Sequence, residues 1–247
     1  MSISVLIIAR NEEDKIENSL RSLKFASEIV VVLDRSTDKT KRICKKYTNK
    51  IFHGTWVCEG ERRNFGIKKC SNEWIFEIDA DEVVSDKLSN EICKNIRIKK
   101  FDYFYIPLLN YIGTKPIKFG WMGCLAPDGK FCLFKKESKV WSKGLVHPGY
   151  QLKGRKGPRF RFYIDHYMSK NLSELINRFN RNTSLRSIEL RGERLKKFYS
   201  VRKIVSRFLK SFVTRKGFKE GRLGLIVALL NAIYPYVSAI KSEFSKN

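Results

Sequence analysis

Apolar and polar positions change period repeatedly along the first hundred residues, and the changes mark out elements. Ser4–Ala9 is a continuous apolar run that predicts a strand. Asn11-Glu12-Glu13-Asp14, followed by Ile16, Leu20 and Leu23 at helical spacing, predicts a capped amphipathic helix. Glu28–Asp34 is continuous in Ile and Val, so it predicts a strand buried on both faces, as parallel strands are. Ser36-Thr37-Asp38 starts a helix through Tyr47, Lys50–Gly54 is a third strand, 59–70 a helix and 74–79 a fourth strand. Strand and helix alternating every 20–25 residues is the rhythm of a doubly wound parallel sheet. A helix near 86–98 follows. Phe101–Tyr111 and Gly120–Lys136, with the apolar Phe131-Cys132-Leu133-Phe134, read as later strands that make the sheet mixed. Gly144–Gly157 is loop-like, with Pro148 and Pro158 as breakers, Asn171–Phe212 is a long helical stretch, and Leu223–Ile240 carries no charge for 18 residues. The fold class expected is α/β: a mixed, mainly parallel sheet flanked by helices over 1–157, then a basic helical appendage over 158–247.

Charge sharpens this division. The chain carries a net +25, and residues 151–247 hold 23 Lys/Arg against 6 Asp/Glu, a net +17, leaving +8 for residues 1–150. A basic C-terminal surface implies a polyanionic partner: nucleic acid, an anionic lipid face or an acidic glycolipid. No helix-turn-helix, ribonucleoprotein strand motif or zinc-site spacing accompanies it, so no nucleic acid is expected. The uncharged run falls short of the roughly 20 apolar residues of a span and is interrupted by Asn231 and Pro235. With Arg215, Lys216, Lys219, Arg222 and Lys241 around it, the segment at about 215–241 is expected to lie on a membrane surface or to pack on the protein. Cysteines 44, 58, 70, 93, 124 and 132 show no close pair and no metal-site spacing, which suits reduced thiols in a cytosolic protein. The N-terminus has no basic leader or cleavage site and reads as the first strand.

Chemistry concentrates at Trp74-Ile75-Phe76-Glu77-Ile78-Asp79-Ala80-Asp81-Glu82, where an apolar strand ends in carboxylates. Open α/β sheets bind ligands at that end of their strands, and Asp79 and Asp81, one small residue apart, reach a single hard cation. A metal holding a diphosphate is the natural use. An acidic turn leading into a helix cap fits the same residues. Neither Gly-x-Gly-x-x-Gly nor a Gly-Lys-Ser/Thr loop is present, which removes support for dinucleotide binding or a P-loop.

Four motifs in order resemble the family 2 glycosyltransferases of GT-A fold. Val5-Leu6-Ile7-Ile8-Ala9-Arg10-Asn11-Glu12-Glu13 looks like the opening strand and Asn-Glu turn. Val31-Val32-Leu33-Asp34-Arg35-Ser36-Thr37-Asp38 looks like the second-strand signature, with Leu33 and Arg35 where an Asp and a Gly are usual. Gly60-Glu61-Arg62-Arg63-Asn64-Phe65-Gly66 resembles the Arg-Asn-Phe-Gly helix, and Asp79-Ala80-Asp81-Glu82 the metal motif. The second half is similar to the bacterial branch that adds a β-linked glucose to the lipopolysaccharide inner core: Gly120-Trp121, Pro127-Asp128, Phe131–Lys136, and Val146-His147-Pro148, where Pro148 stands for a Glu. Arg215–Gly224 and Ala228–Ala232 look like that branch's tail.

The resemblance implies transfer of a hexose, glucose in that branch, from a nucleotide sugar such as a UDP-hexose to an anionic glycolipid at the inner face of the cytoplasmic membrane. Polyprenyl phosphate or a capsule or protein glycan is the alternative acceptor. It implies donor contacts at Ala9, Arg10, Glu12, Asp34, Arg63 (or Arg62), Asp79, Ala80 and Asp81, with Mg²⁺ or Mn²⁺ on Asp81 and on His147, for which a structural hydrogen-bonding role is the alternative. A Lewis acid stabilises the leaving diphosphate and a carboxylate base deprotonates the acceptor hydroxyl. Asp128 is the expected base, with Glu82 and Asp102 as rivals, and one direct displacement inverts the anomeric centre. His53 and His166 are expected to be structural.

Overall fold

The computed structural model describes residues 2–143 and 148–244. The chain forms two compact units, Met1–Leu108 with Gly129–His166, and Leu109–Asp128 with Tyr167–Asn247. The division differs from a cut at 157. Residues 109–128 group with the C-terminal helices because Ile112, Ile117, Trp121 and Leu125 share one buried cluster with Met168, Leu175, Phe179, Val227 and Tyr234.

The first unit contains β1 (Ile3–Ala9), α1 (Ile16–Arg21), β2 (Glu28–Asp34), α2 (Thr40–Cys44), β3 (Ile51–Gly54), α3 (Glu59–Lys69), β4 (Trp74–Asp79), β5 (Glu82–Val84) and α4 (Asp86–Ile96). Parallel pairing gives the order β3-β2-β1-β4. Successive side chains of a strand point to opposite faces, and both faces here are covered. Val5, Ile7, Val31, Leu33, Phe76 and Ile78 enter one core, while Leu6, Val30, Val32 and Ile75 enter another. The second core lies under α3, which approaches closely because residue 66 is glycine. A Cβ there would stand 2.6 Å from Leu6 Cδ1 and 3.2 Å from Val32 Cγ2.

Later strands reverse direction. After β6 (Tyr103–Ile112) and β7 (Lys115–Ile117), β8 (Gly129–Lys135) runs antiparallel to β4 and to β6, making the sheet mixed as expected. β9 (Lys139–Trp141) and β10 (Tyr150–Leu152) form a separate hairpin, and Ile164–His166 of β11 (Ile164–Ser169) pairs antiparallel with β5. These short strands carry too few residues for periodicity to reveal.

The expected cap of α1 is not what Asn11–Asp14 do. The helix starts at Ile16, and Lys15 in the cap position makes no side-chain capping bond. Asn11, at φ +53°, accepts from the Thr37 N–H (2.8 Å) and donates its own N–H to Ser36 Oγ (3.1 Å). The Glu12 and Glu13 amides donate to Thr40 Oγ1 and Asp38 Oδ2. The polar cluster therefore ties the turn after β1 to the turn after β2, and α2 begins only at Thr40.

In the second unit the long helical stretch breaks into α5 (Leu172–Glu189) and α6 (Val201–Leu209), which runs on into a π turn over Lys210–Thr214. α7 (Gly221–Phe244) follows. By length and composition it passes as a membrane span, yet it buries Val227, Ala228, Asn231, Ala232, Tyr234, Ser238 and Ala239 in this unit. Pro235 has no N–H to offer the carbonyl four residues back, at Asn231. Arg207 Nε on α6 supplies the missing donor at 3.0 Å. The Asn231 amide in turn donates to Gly120 O and Ser211 Oγ. All six cysteines are free.

Candidate active site

From β1 the chain steps outward to β2 and β3, then returns to place β4 on the other side of β1. Strand order thus reverses at β1/β4, and in open α/β sheets a crevice opens beyond the carboxyl ends of strands at such a point. Ala9, Asp34 and Asp79 end β1, β2 and β4, and Ile8 pairs with Asp79 across the reversal. Ala9 and Ala80 are buried, Arg10 is exposed and Glu12 half-buried.

Asp79-Ala80-Asp81-Glu82 is a tight turn held by its own last residue. Glu82 is 1 % exposed at its side chain, and its Oε2 accepts the Asp79 amide at 2.8 Å. Lys130 lies between the carboxylates, with Nζ 2.5 Å from Glu82 Oε2 and 3.1 Å from Asp79 Oδ2. The register of β4 on β8 pairs Phe76 with Leu133, and its continuation sets Lys130 opposite Asp79. On the other side, Arg63 Nη2 reaches Asp79 Oδ1 at 3.3 Å and Glu59 Oε1 at 2.7 Å, and its guanidinium stacks 4.8 Å from the Trp141 ring centroid. Burial would raise the Asp79 pKa, but Lys130 and Arg63 outweigh it and hold the carboxyl well below the usual range. Burial raises Glu82, with Asp79 adding to the effect and Lys130 opposing it. Burial would lower Lys130 and Arg63, and their carboxylate partners more than reverse that.

Asp81 faces another way. His166 Nε2 stands 3.5 Å from its Oδ2, because β11 pairs His166 with Glu82 beside the turn. Below the turn Glu77 is buried, accepting Lys139 Nζ at 2.5 Å and Trp141 Nε1 at 2.8 Å. The ammonium is 3.9 Å from the Trp141 centroid and 4.8 Å from those of Phe134 and Tyr150. Burial lowers the Lys139 pKa against the pull of Glu77. Among the described residues, Glu59, Glu77, Asp79 and Glu82 pair with Arg63, Lys130 and Lys139, and Asp81 stands beside His166. No group of three metal-ligating side chains occurs among the described residues.

Asp34 is 2 % exposed and accepts from Arg62 Nη1 (2.8 Å), Arg35 Nε (2.9 Å) and the Trp56 amide (3.4 Å). Burial raises its pKa, and the two arginines more than offset that. Arg35 reaches it from φ +53°, the left-handed conformation a glycine would take there at no cost. Arg62 therefore serves Asp34, and Arg63 serves Asp79.

Other expected residues are placed differently. His147 lies outside the described residues. Asp128 belongs to the second unit, where its side chain is 65 % exposed and 3.4 Å from Arg215 Nη1. Asp102 accepts from the Arg155 amide at 2.7 Å and from Lys135 at 3.1 Å, and Glu82 is sealed under the turn; both carboxylates are committed to holding the chain. His53 is exposed on β3. Lys130 is what sequence reading missed, and His166, expected to be structural, stands beside Asp81; both come from antiparallel neighbours remote in the chain. The alternation of β11 was the only local signal.

Residues 4–116 match the profile described as Glycosyl transferase family 2. A glycosyltransferase of Rickettsia prowazekii is 27% identical over 258 residues, covering 97% of this chain and 86% of that one. The lipopolysaccharide core biosynthesis glycosyltransferase LpsC of Rhizobium meliloti is 24% identical over 262 residues, covering 98% and 92%. Among solved structures, Staphylococcus aureus TarS residues 1–349, also solved with UDP, aligns at TM-score 0.50 and 15% identity over 100% of this chain and 91% of that one. The reversal in strand order, the acidic turn beyond β4 and the likeness to TarS give the chain the GT-A fold, and its residues 4–116 resemble glycosyl transferase family 2.

Proposed function

We propose that this glycosyltransferase moves a hexose, glucose in the first instance, from a UDP-sugar to an anionic bacterial surface glycolipid such as the lipopolysaccharide inner core, at the inner face of the cytoplasmic membrane. The observation that carries the donor half is the Asp79–Glu82 turn at the strand-order reversal, with His166 beside Asp81. The likeness to LpsC along the whole chain and the basic C-terminal unit support the acceptor half.

In this reading Ala9, Arg10, Glu12, Asp34, Ala80 and Asp81 line the nucleotide and sugar-diphosphate. Asp79 is a positioning residue, because Arg63 and Lys130 fix it from two sides. Arg63 keeps its fork near the phosphates by stacking on Trp141. Asp81 and His166, an oxygen and an imidazole nitrogen 3.5 Å apart, would hold a divalent ion such as Mn²⁺ or Mg²⁺, which would supply Lewis-acid stabilisation of the leaving diphosphate. His166 joins the His147 that the resemblance implies, which lies outside the described residues. Asp128 accepts the acceptor hydroxyl's proton while the C–O bond to the diphosphate breaks, giving an inverted product.

The test is UDP release from a panel of UDP-sugars with Mn²⁺ or after EDTA, then transfer to lipopolysaccharide core acceptors. Expected are release with UDP-glucose that EDTA abolishes, a loss of at least about a hundredfold in Asp81→Asn, and in Asp128→Asn a loss of transfer with intact UDP binding. Full turnover after EDTA, or by Asp81→Asn, overturns the metal assignment; full transfer by Asp128→Asn overturns the base.

A further inference from the structure

The basic appendage was expected to meet the membrane through the uncharged run, but α7 turns much of that run into its own unit's core. α7 still exposes Leu225 and Leu229, and a second exposed apolar surface, edged by more cations, lies one helix earlier. Val201, Val205, Leu209 and Val213 recur every four residues along α6 and its π turn, and they are 71, 50, 49 and 54 % exposed. Four-residue spacing keeps side chains on one face of a helix. The inner face is spoken for: Arg207 bonds to Asn231 O and Cys124 Sγ, and Ser211 is buried. Phe208 and Phe212, stacked at 5.4 Å, widen the apolar band on one side, and Phe218 is half exposed beyond its end.

Charge along this band has a single sign. From Arg194 to Lys219 there are ten Lys/Arg and no Asp or Glu. Arg202, Lys203 and Lys210 are exposed along the helix, with Lys216 and Lys219 exposed past its end. An apolar stripe with exposed Lys and Arg along its edge matches a surface whose outer layer is anionic and whose interior is hydrocarbon. Lysine and arginine stems lie along the apolar layer while their charges stay at the headgroups.

We propose that α6 and the π turn, Val201–Thr214, together with Phe218, form a membrane-docking face that binds anionic bilayers by inserting the valine-leucine stripe among the headgroups. This deepens the glycolipid reading by naming the surface that meets the lipid, and it rests on that reading for its biological partner. A second copy of the chain would have to bring acidic residues to this face, and a neutral apolar partner would leave the cationic edge unmatched.

The test is flotation of the full chain with vesicles of phosphatidylcholine alone or with about 30 mol% phosphatidylglycerol. Expected is binding to the anionic vesicles only, lost above about 0.5 M salt, and at least roughly tenfold weaker in Val205→Ser/Leu209→Ser and in Arg202→Gln/Lys210→Gln. All four positions are exposed, so melting temperature and UDP-glucose hydrolysis stay at wild-type values. Equal binding to neutral vesicles, wild-type flotation by both double variants, or a wild-type dimer that the apolar double variant converts to monomer overturns the proposal. Loss of hydrolysis in the wild type would instead count against the glycosyl-transfer reading and leave the flotation result standing.

Discussion

Replacing Lys130 by Met keeps the side chain's length and removes its charge, leaving Glu82 buried at 1 % exposure beside Asp79 with no cation of its own. Asp79 keeps Arg63 at 3.3 Å, so the cost falls mainly on Glu82. At an effective dielectric of about 20, each contact of Lys130 has a gross attraction of about 5–7 kcal/mol at 2.5 and 3.1 Å. Desolvation of the ammonium cancels much of that, and removing one partner of a buried pair costs about 3–5 kcal/mol. Lys130 is 21 % exposed, which puts the expected loss near 3 kcal/mol at pH 8. The deficit depends on pH with a definite sign. Burial raises the Glu82 pKa even with Lys130 present, and removing Lys130 raises it further. A raised folded-state pKa gives stability below the unfolded value that is lost as pH climbs through the folded one, so the variant falls further behind between pH 5 and pH 8. Urea unfolding followed by tryptophan fluorescence reads this out, since Trp56, Trp74 and Trp141 lie in the first unit. Glu82→Gln added to Lys130→Met should recover about half the loss, because no buried charge is then left unpaired. A deficit below about 0.5 kcal/mol at pH 8, or the same deficit at both pH values, refutes the reasoning.

Glu28 gives a pH dependence of opposite sign. Burial raises its pKa, but Lys50, Ser4 and Ser71 together bring it down to about 2. Its stabilisation is present above about 4.5 and lost as pH falls toward 2, so Glu28→Gln should cost about 2 kcal/mol at pH 7 and nothing at pH 2, by thermal melts across that range. In the second unit, Arg207→Met should cost about 1–3 kcal/mol by leaving the Asn231 carbonyl unpaired, and Pro235→Ala in that background should recover part of it by supplying the N–H. If Pro235→Ala destabilises both backgrounds equally, as measured by chemical denaturation, Arg207 is not the substitute donor.

Runs such as Val30–Leu33 and Ile75–Ile78 announced the parallel strands because burial on both faces forces near-continuous apolar sequence, and four such runs at even spacing fixed the alternating fold and its acidic edge. Four local motifs carried the resemblance to the family 2 glycosyltransferases for the same reason: each sits within a dozen residues of chain. What the sequence withheld depends on partners remote along it. Lys130 meets Asp79 across 51 residues and His166 meets Asp81 across 85, through antiparallel pairings whose register no local pattern reveals. Asn11–Asp14 looked like a helix cap because the same oxygens that cap helices also bind the amides of a neighbouring turn, and only the closeness of β1 and β2 selected the second use. Likewise the uncharged run of α7 was equally suited to lipid or to protein. The sequence by itself determined which segments are apolar and where carboxylates and cations are plentiful; tertiary structure decided which of them meet, because burial and ion pairing depend on distances that strand register and helix packing set.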